Sequence, residues 1–127
     1  MSTPALLSIF DEQDNLLVNI YIHCDGHPTS FGKDLVTFLD SIKIGNGIPN
    51  ESDDFANGMG DLAAQIIAHF KSNSMVGGVY IIYDGYYVNT DYQYFLILRN
   101  GVLELDVLHN DHLLYSGTIE QLMSSCQ

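Results

Sequence analysis

The chain has 127 residues, 46% of them hydrophobic, and its 16 carboxylates face only four Lys and Arg residues, which gives a net charge of −12 at pH 7. This size and hydrophobic content suit one folded domain over residues 1–127. A strongly negative surface repels phosphate backbones and anionic membranes, so the composition argues against direct nucleic-acid binding and favours a cationic partner.

The two cysteines, Cys24 and Cys126, are expected to remain free thiols, because no secretory leader precedes the first predicted strand. No apolar run approaches the roughly 20 residues that a membrane helix needs. The sequence therefore predicts a cytoplasmic protein that does not bind a membrane.

The N-terminal region has the pattern of a β-hairpin. Two apolar segments, Ala5 to Phe10 and Leu16 to Cys24, are separated by five turn-forming residues. Val18, Ile20 and Ile22 alternate along the second segment and are expected to face the core.

A first helix is predicted from about Phe31 to Lys43, because apolar residues recur there at spacings of three and four. Thr29 and Ser30 precede it, and their hydroxyls are expected to cap its first free amides.

A second helix is predicted from about Asp54 to Ser72, where a helical apolar stripe runs through two glycines, Gly58 and Gly60. We expect these glycines, together with Ala56, Ala63 and Ala64, to allow close packing against the sheet or a neighbouring helix. The alternative is that the glycines form a loop. The segment around Met59 lacks the spacing of a phosphate-binding loop.

The C-terminal half is predicted to be mainly β-structure. Asn100-Gly101 is typical of a two-residue hairpin turn, and Asn110-Asp111 is expected to form the next one. Thr118-x-x-Gln121 resembles a capping box that begins a short helix. Four strands are predicted, at Val79 to Asp84, Gln93 to Arg99, Val102 to His109 and Leu113 to Tyr115.

The resulting order, ββααββββα, predicts an α+β fold, because strands and helices do not alternate regularly. We expect an antiparallel sheet of about six strands with the helices packed mainly on one face.

The densest group of potential metal ligands is the segment His23-Cys24-Asp25-Gly26-His27. One hypothesis is a metal-dependent hydrolase that uses His23, Asp25 and His27, since imidazole and carboxylate are common metal ligands. The alternative, which we favour, is a surface turn made by Asp25-Gly26 with no metal or other cofactor, because neighbouring strand residues point to opposite faces.

A tyrosine-rich segment over residues 83–94 has the composition of a recognition loop, in which rigid rings supply contact area and small polar residues supply hydrogen bonds. Ordinary hairpin chemistry, with tyrosines shielding the sheet, is the alternative. Tyr86, Tyr87 and Tyr92 are expected to be exposed. The candidate partner-binding residues are Asp84, Tyr86, Tyr87, Asp91 and Tyr92.

Another hypothesis is a protein that captures a nucleotide signal in a pocket between protomers. Tyr86 and Tyr92 would stack on the base, and Arg99 or Lys71 would meet its phosphate. A further hypothesis is self-association into a homodimer or higher oligomer, because segments such as Tyr94 to Leu98 are apolar on both faces.

Four short segments carry a recognisable pattern: His23-x-Asp25-Gly26-x-Pro28, Gly32-x-x-Leu35-x-x-Phe38-Leu39, Asn57-Gly58-Met59-Gly60-x-Leu62-Ala63-Ala64-Gln65 and Gly77-Gly78-x-Tyr80. Over roughly residues 16 to 83 the chain thereby resembles a family of small phage and prophage proteins of unassigned function. The resemblance implies a viral or mobile-element origin and supplies no catalytic residues. With the charge, it leads us to expect a non-enzymatic accessory protein in the host cytoplasm that binds a basic surface of a host protein, for example a nucleic-acid-binding defence effector.

Overall fold

The computed structural model describes residues 3–45, 55–72, 78–86 and 88–125. The predicted α+β class is confirmed, with a six-stranded sheet and three α-helices in these residues. In chain order the elements are β1 (Ala5–Phe10), β2 (Leu16–Ile22), a π-helical turn (Pro28–Gly32), α1 (Lys33–Asp40), β3 (Lys43–Gly45), β4 (Phe55–Asn57), α2 (Met59–Ser72), β5 (Val79–Ile82), β6 (Tyr92–Arg99), β7 (Val102–His109), β8 (His112–Thr118) and α3 (Ile119–Ser125).

The six-stranded sheet has the order β5-β2-β1-β6-β7-β8 and is mixed, because β1 and β6 run parallel while the other neighbours are antiparallel. The expectation of a wholly antiparallel sheet is therefore wrong at its centre. The connection from β5 returns to the end of the sheet where β1 begins, and the backbone amide of Asp91 donates there to the carbonyl oxygen of Pro4 at 2.9 Å. β6 consequently starts beside the start of β1.

The core lies between one face of this sheet and the helices. Leu7 and Ile9 of β1 and Leu96 of β6 are fully buried on that face. Tyr94 stands beside them, and its ring contacts that of Phe31 edge-to-face at a centroid distance of 5.0 Å. These side chains belong to a single hydrophobic cluster that also contains residues of all three helices.

The first helix is shorter than predicted and begins differently. The π-helical turn starts at Pro28, whose fixed φ suits a helix start, and neither Thr29 nor Ser30 forms the expected side-chain cap. At the other end, the amide of Ile42 bonds the carbonyl three residues back, which closes the helix after Asp40. Lys43, predicted to be helical, begins β3.

The second helix also begins later than predicted. Phe55–Asn57 forms a strand parallel to β3, and the predicted start at Asp54 lies outside the described residues. Gly58 has a φ of +89°, which favours glycine, whereas a Cβ on Gly60 would meet no atom within 4 Å. The expected close packing is thus wrong at Gly60, whereas a Cβ on Gly58 would lie 3.1 Å from Glu12 Oε2. Close packing occurs at Gly45, where a Cβ would overlap the ring of Phe55.

The C-terminal turn predictions are confirmed, whereas the bounds of three strands differ. Asn100-Gly101 and Asn110-Asp111 have positive φ at both residues, as two-residue hairpins require. The amide of Thr118 donates to Gln121 Oε1 at 2.9 Å and the amide of Gln121 to Thr118 Oγ1 at 3.2 Å, completing the capping box. β5 ends two residues earlier than predicted, β6 begins one residue earlier, and β8 is longer at both ends.

Cys24 is a free thiol, whereas Cys126 lies outside the described residues. Within the described part of the chain, no helix combines the length and hydropathy required to cross a membrane.

Candidate functional site

One side of the six-stranded sheet is covered by no helix of the described residues, and we call it the open face. Along each strand its side chains alternate with those that face the core. The open face is therefore the side of the sheet opposite to the one that carries Tyr94. Most of its members are partly exposed and apolar or aromatic, including Leu6, Phe10, Tyr21, Phe95, Ile97 and Leu108.

A polar pair lies at the centre of the open face. Ser8 Oγ donates a hydrogen bond to Asn19 Oδ1 at 2.7 Å, and both residues are buried. Phe95, which pairs with Ser8 across β1 and β6, contacts Phe10 at a centroid distance of 6.3 Å. The centre of the face is therefore well packed by its own side chains, and its outer surface is mainly apolar.

Aromatic groups occupy the β5 side of the open face. The ring of Tyr80 lies 6.3 Å from that of Tyr21, and Tyr21 Oη is 3.2 Å from His23 Nδ1. Burial raises the pKa of Tyr21 above its ordinary value, with smaller contributions from the charges of Cys24 and Tyr80. The ammonium of Lys71 is 6.0 Å from the centre of the Tyr80 ring, so an aromatic surface here already accepts a cation.

Carboxylates occupy the β7 side of the open face. Arg99 Nη1 donates to Glu104 Oε1 at 2.8 Å, and Ser116 Oγ donates to Asp106 Oδ1 at 2.7 Å. The pKa of Arg99 is raised, first by the hydrogen bond to Glu104 and then by the charges of Glu104, Asp106 and Asp14. One guanidinium thus lies among three carboxylates, which leaves this side of the face negative.

Two further acids, in the β1–β2 loop, have structural partners. Asp11 Oδ1 accepts hydrogen bonds from the amides of Gln13 and Asn15, and these bonds lower the pKa of Asp11. Glu12 Oε2 accepts the amide of Met59 at 2.7 Å, at the N-terminus of α2. The first free amide of that helix is therefore satisfied by a carboxylate of this chain.

The predicted contact loop is exposed only in part. Asp84 and Tyr86 are exposed, and the Tyr86 ring packs edge-to-face on Tyr83 at 5.2 Å, whereas Tyr87 lies outside the described residues. The expectation that Tyr92 is exposed is wrong, since it is partly buried and stacks on the ring of His109 at 4.5 Å. Asp91 is also partly buried, and its backbone is tied to Pro4.

The residues of the nucleotide hypothesis do not converge within one chain. Arg99 is at the carboxylate side of the open face, while Lys71 donates to the carbonyl oxygen of Val79 on the β5 edge at 3.2 Å. A cavity of about 320 Å³ beside α1 and α3 is lined by two carboxylates, Asp40 and Glu120, and by neither of these cations. Those carboxylates oppose a phosphate ligand.

The residues of the metal hypothesis also do not converge, because the two histidines contact different side chains. His23 lies next to Tyr21, whereas the ring of His27 contacts that of Tyr92 at 5.8 Å. Asp25 has a φ of +61° and its carbonyl oxygen accepts the amide of Phe31, as expected of a turn residue. Among the described residues, no three His, Cys, Asp or Glu side chains are grouped so that they could hold a metal ion.

Comparison with protein-family models, with curated proteins and with solved structures finds no match to this chain. The resemblance to phage proteins therefore stays a prediction, and the functional interpretation depends on the geometry of the chain itself.

Sequence reasoning placed the contact surface in a loop and missed the carboxylates of β7. Glu104 and Asp106 alternate with the buried residues Leu103, Leu105 and Val107, which is the pattern of a strand with one charged face. That alternation was the available signal. It does not by itself reveal that no described helix covers the charged face.

Proposed function

We propose that the protein is a non-enzymatic binding protein that engages a cationic surface of another protein through its open face. The observation that carries this proposal is the position of Asp106 and Glu104 beside an apolar sheet surface that no described helix covers, with Arg99 bonded to Glu104. Apolar area provides the association free energy, and the carboxylates, which outnumber the guanidinium among them, select a partner of opposite charge.

The carboxylate side and the aromatic side of the open face contribute differently to binding in this proposal. The carboxylate side increases the rate of encounter with a basic surface, since complementary potentials steer association. The aromatic side, with Tyr21 and Tyr80, offers rings that receive Arg or Lys side chains by cation–π contact. Asp84 and Tyr86 are exposed and remain candidate contact residues.

The resemblance to phage and prophage proteins supports a host protein as the partner and the host cytoplasm as the location. A nucleic-acid-binding defence effector fits this chemistry, because its phosphate-binding surface is cationic and carboxylates can occupy the sites of phosphates. Binding there would block access of nucleic acid. No bond of the partner needs to be broken, so no catalytic residue is assigned.

The test compares two variants of equal charge change. Asp106→Lys alters the open face, whereas Glu120→Lys alters an exposed position of α3 in the helical layer. Both replace a carboxylate by an ammonium. A partner that senses only net charge would therefore bind the two variants equally. Each protein is immobilised and exposed to bacterial lysate at low and at high salt, and retained proteins are identified and then titrated in purified form.

We expect the wild type and Glu120→Lys to retain the same basic protein at low salt and to lose it as screening increases. Asp106→Lys should weaken that complex at least tenfold while circular dichroism and the melting temperature show a folded protein. Equal binding by both variants, or retention of no basic protein by the wild type, overturns the proposal.

A further inference from the structure

The two edges of the six-stranded sheet differ in how they are protected. β5 is four residues long, and Lys71 Nζ donates to the carbonyl oxygen of Val79, which places a cation on that edge. β8 is seven residues long and contains no Asp, Glu, Lys, Arg or Pro. Its apolar side chains Leu113, Leu114 and Tyr115 are all exposed.

Natural sheets usually protect an edge with charges, prolines, bulges or a covering element, because the free backbone groups can pair with another strand. On β8 the pairing with β7 shifts between Val107 and Leu108, which leaves Leu114 as an extra residue. The amide of Thr118 is taken by Gln121 Oε1. These features limit the length of the edge without placing a charge on it.

We propose that β8 accepts a β-strand of the cationic partner, which extends the sheet to a seventh strand; this proposal rests on the proposed function. Strand addition obtains its affinity from backbone hydrogen bonds and its specificity from alternate side chains. The open face would then continue across β8 onto the partner.

The side chains next to the edge define the chemistry of that strand. Asp106 pairs with Ser116 across β7 and β8, so a residue added opposite Ser116 is two strand spacings, about 10 Å, from the Asp106 backbone. A Lys or Arg side chain can extend over the small Ser116 side chain toward the Asp106 carboxylate. On the other face the added strand meets Tyr115, which is half-exposed beside Val107 and Leu122. The fitting strand is cationic on one face and apolar on the other.

Charge selects this occupant over a second copy of the chain. A second β8 would bring another molecule of net charge −12 and would offer no Lys or Arg opposite Ser116, since β8 contains neither. Like charges raise the free energy of such a pair at moderate salt.

The experiment uses the full chain and a peptide probe, acetyl-Lys-Val-Lys-Val-Lys-Val-Lys-amide. The matched control is the same peptide methylated at every backbone nitrogen, which keeps its charge and side chains and removes the N–H groups that pair strands. Backbone amide exchange is followed residue by residue by NMR. Asp106→Asn is compared with Asp40→Asn, because Asp40 is an exposed carboxylate of α1.

We expect the unmethylated peptide alone to slow exchange of amides within His112–Ser116, by about tenfold at a peptide concentration about nine times its Kd. Asp106→Asn should weaken this binding several-fold and Asp40→Asn should not. Equal binding of both peptides without protection of β8 overturns strand addition and leaves binding at the open face intact. Absence of peptide binding also overturns it. Protection of β8 that depends only on protein concentration overturns it as well, because it would show that a second copy of the chain occupies β8. The binding experiment with bacterial lysate tests the proposed function independently of strand addition.

Discussion

The phenol of Tyr94 donates a hydrogen bond to the carbonyl oxygen of Gly26 at 2.7 Å, joining β6 to a turn that is 68 residues away in the chain. The amide of Gly26 in turn donates to the carbonyl oxygen of Thr3 at 2.7 Å. Both backbone groups of this glycine are thus paired, which anchors the turn between β2 and α1. The backbone of the Asp25-Gly26 pair therefore forms an anchored turn.

Tyr94→Phe should destabilise the protein by about 1–3 kcal/mol, because the carbonyl oxygen of Gly26 would lose its phenol donor in a buried site. Urea unfolding followed by circular dichroism measures this change. Tyr83→Phe is the control, since Tyr83 is 70% exposed and should leave stability nearly unchanged. An equal effect of both substitutions would contradict a specific role of the buried bond.

The same hydrogen bond predicts sensitivity to alkaline pH. Burial is the main cause that raises the pKa of Tyr94 above its ordinary value of 10.0. Because the folded state favours the protonated phenol, this stabilisation is complete below about pH 10 and decreases as the pH rises beyond that value. Stability measured between pH 8 and about 11 should therefore fall less steeply in Tyr94→Phe than in the wild type. Identical slopes would show that Tyr94 does not contribute.

Two glycine-to-alanine substitutions should have opposite effects. At Gly26 a Cβ would lie 2.5 Å from the Cβ of Ala5 and 2.8 Å from the carbonyl oxygen of Thr3, so Gly26→Ala should destabilise by about 1–3 kcal/mol. At Gly60, in the first turn of α2, a Cβ meets nothing within 4 Å, and Gly60→Ala should stabilise by about 0.5–1 kcal/mol. Thermal unfolding of both variants measures the difference. A destabilised Gly60→Ala variant would contradict the open space at that position.

Glu12 should act as a cap for α2 from another part of the chain. Glu12→Ala removes the acceptor of the Met59 amide and should cost about 0.5–2 kcal/mol, as for the loss of an N-terminal cap. Glu12→Gln keeps an acceptor oxygen and should lose less. Chemical denaturation separates the two variants, and an Ala variant as stable as the wild type would show that the bond is not needed.

Local chemistry explains which parts of the fold the sequence predicted. The turns at Asn100-Gly101 and Asn110-Asp111 and the capping box at Thr118 depend on residues close in sequence, and all are present. The parallel pairing of β1 and β6 and the contact of Glu12 with Met59, 47 residues apart, depend on long-range packing that no local pattern contains. The open face could not be located either, because which face the helices cover also depends on long-range packing. The alternation of buried and exposed residues along its strands was visible in the sequence.

Self-association should increase with salt, which is opposite to the expected behaviour of the partner complex. At low salt a net charge of −12 keeps copies apart, whereas at about 1 M salt the screening length falls to about 3 Å and the exposed apolar side chains can associate. Leu113→Ser should reduce this association because Leu113 lies on β8. Ile81→Ser is the matched control on the opposite edge, since the two side chains are 61% and 63% exposed. Light scattering at several protein and salt concentrations measures the effect, and stronger association at low salt would contradict charge as the factor that keeps a second copy from β8.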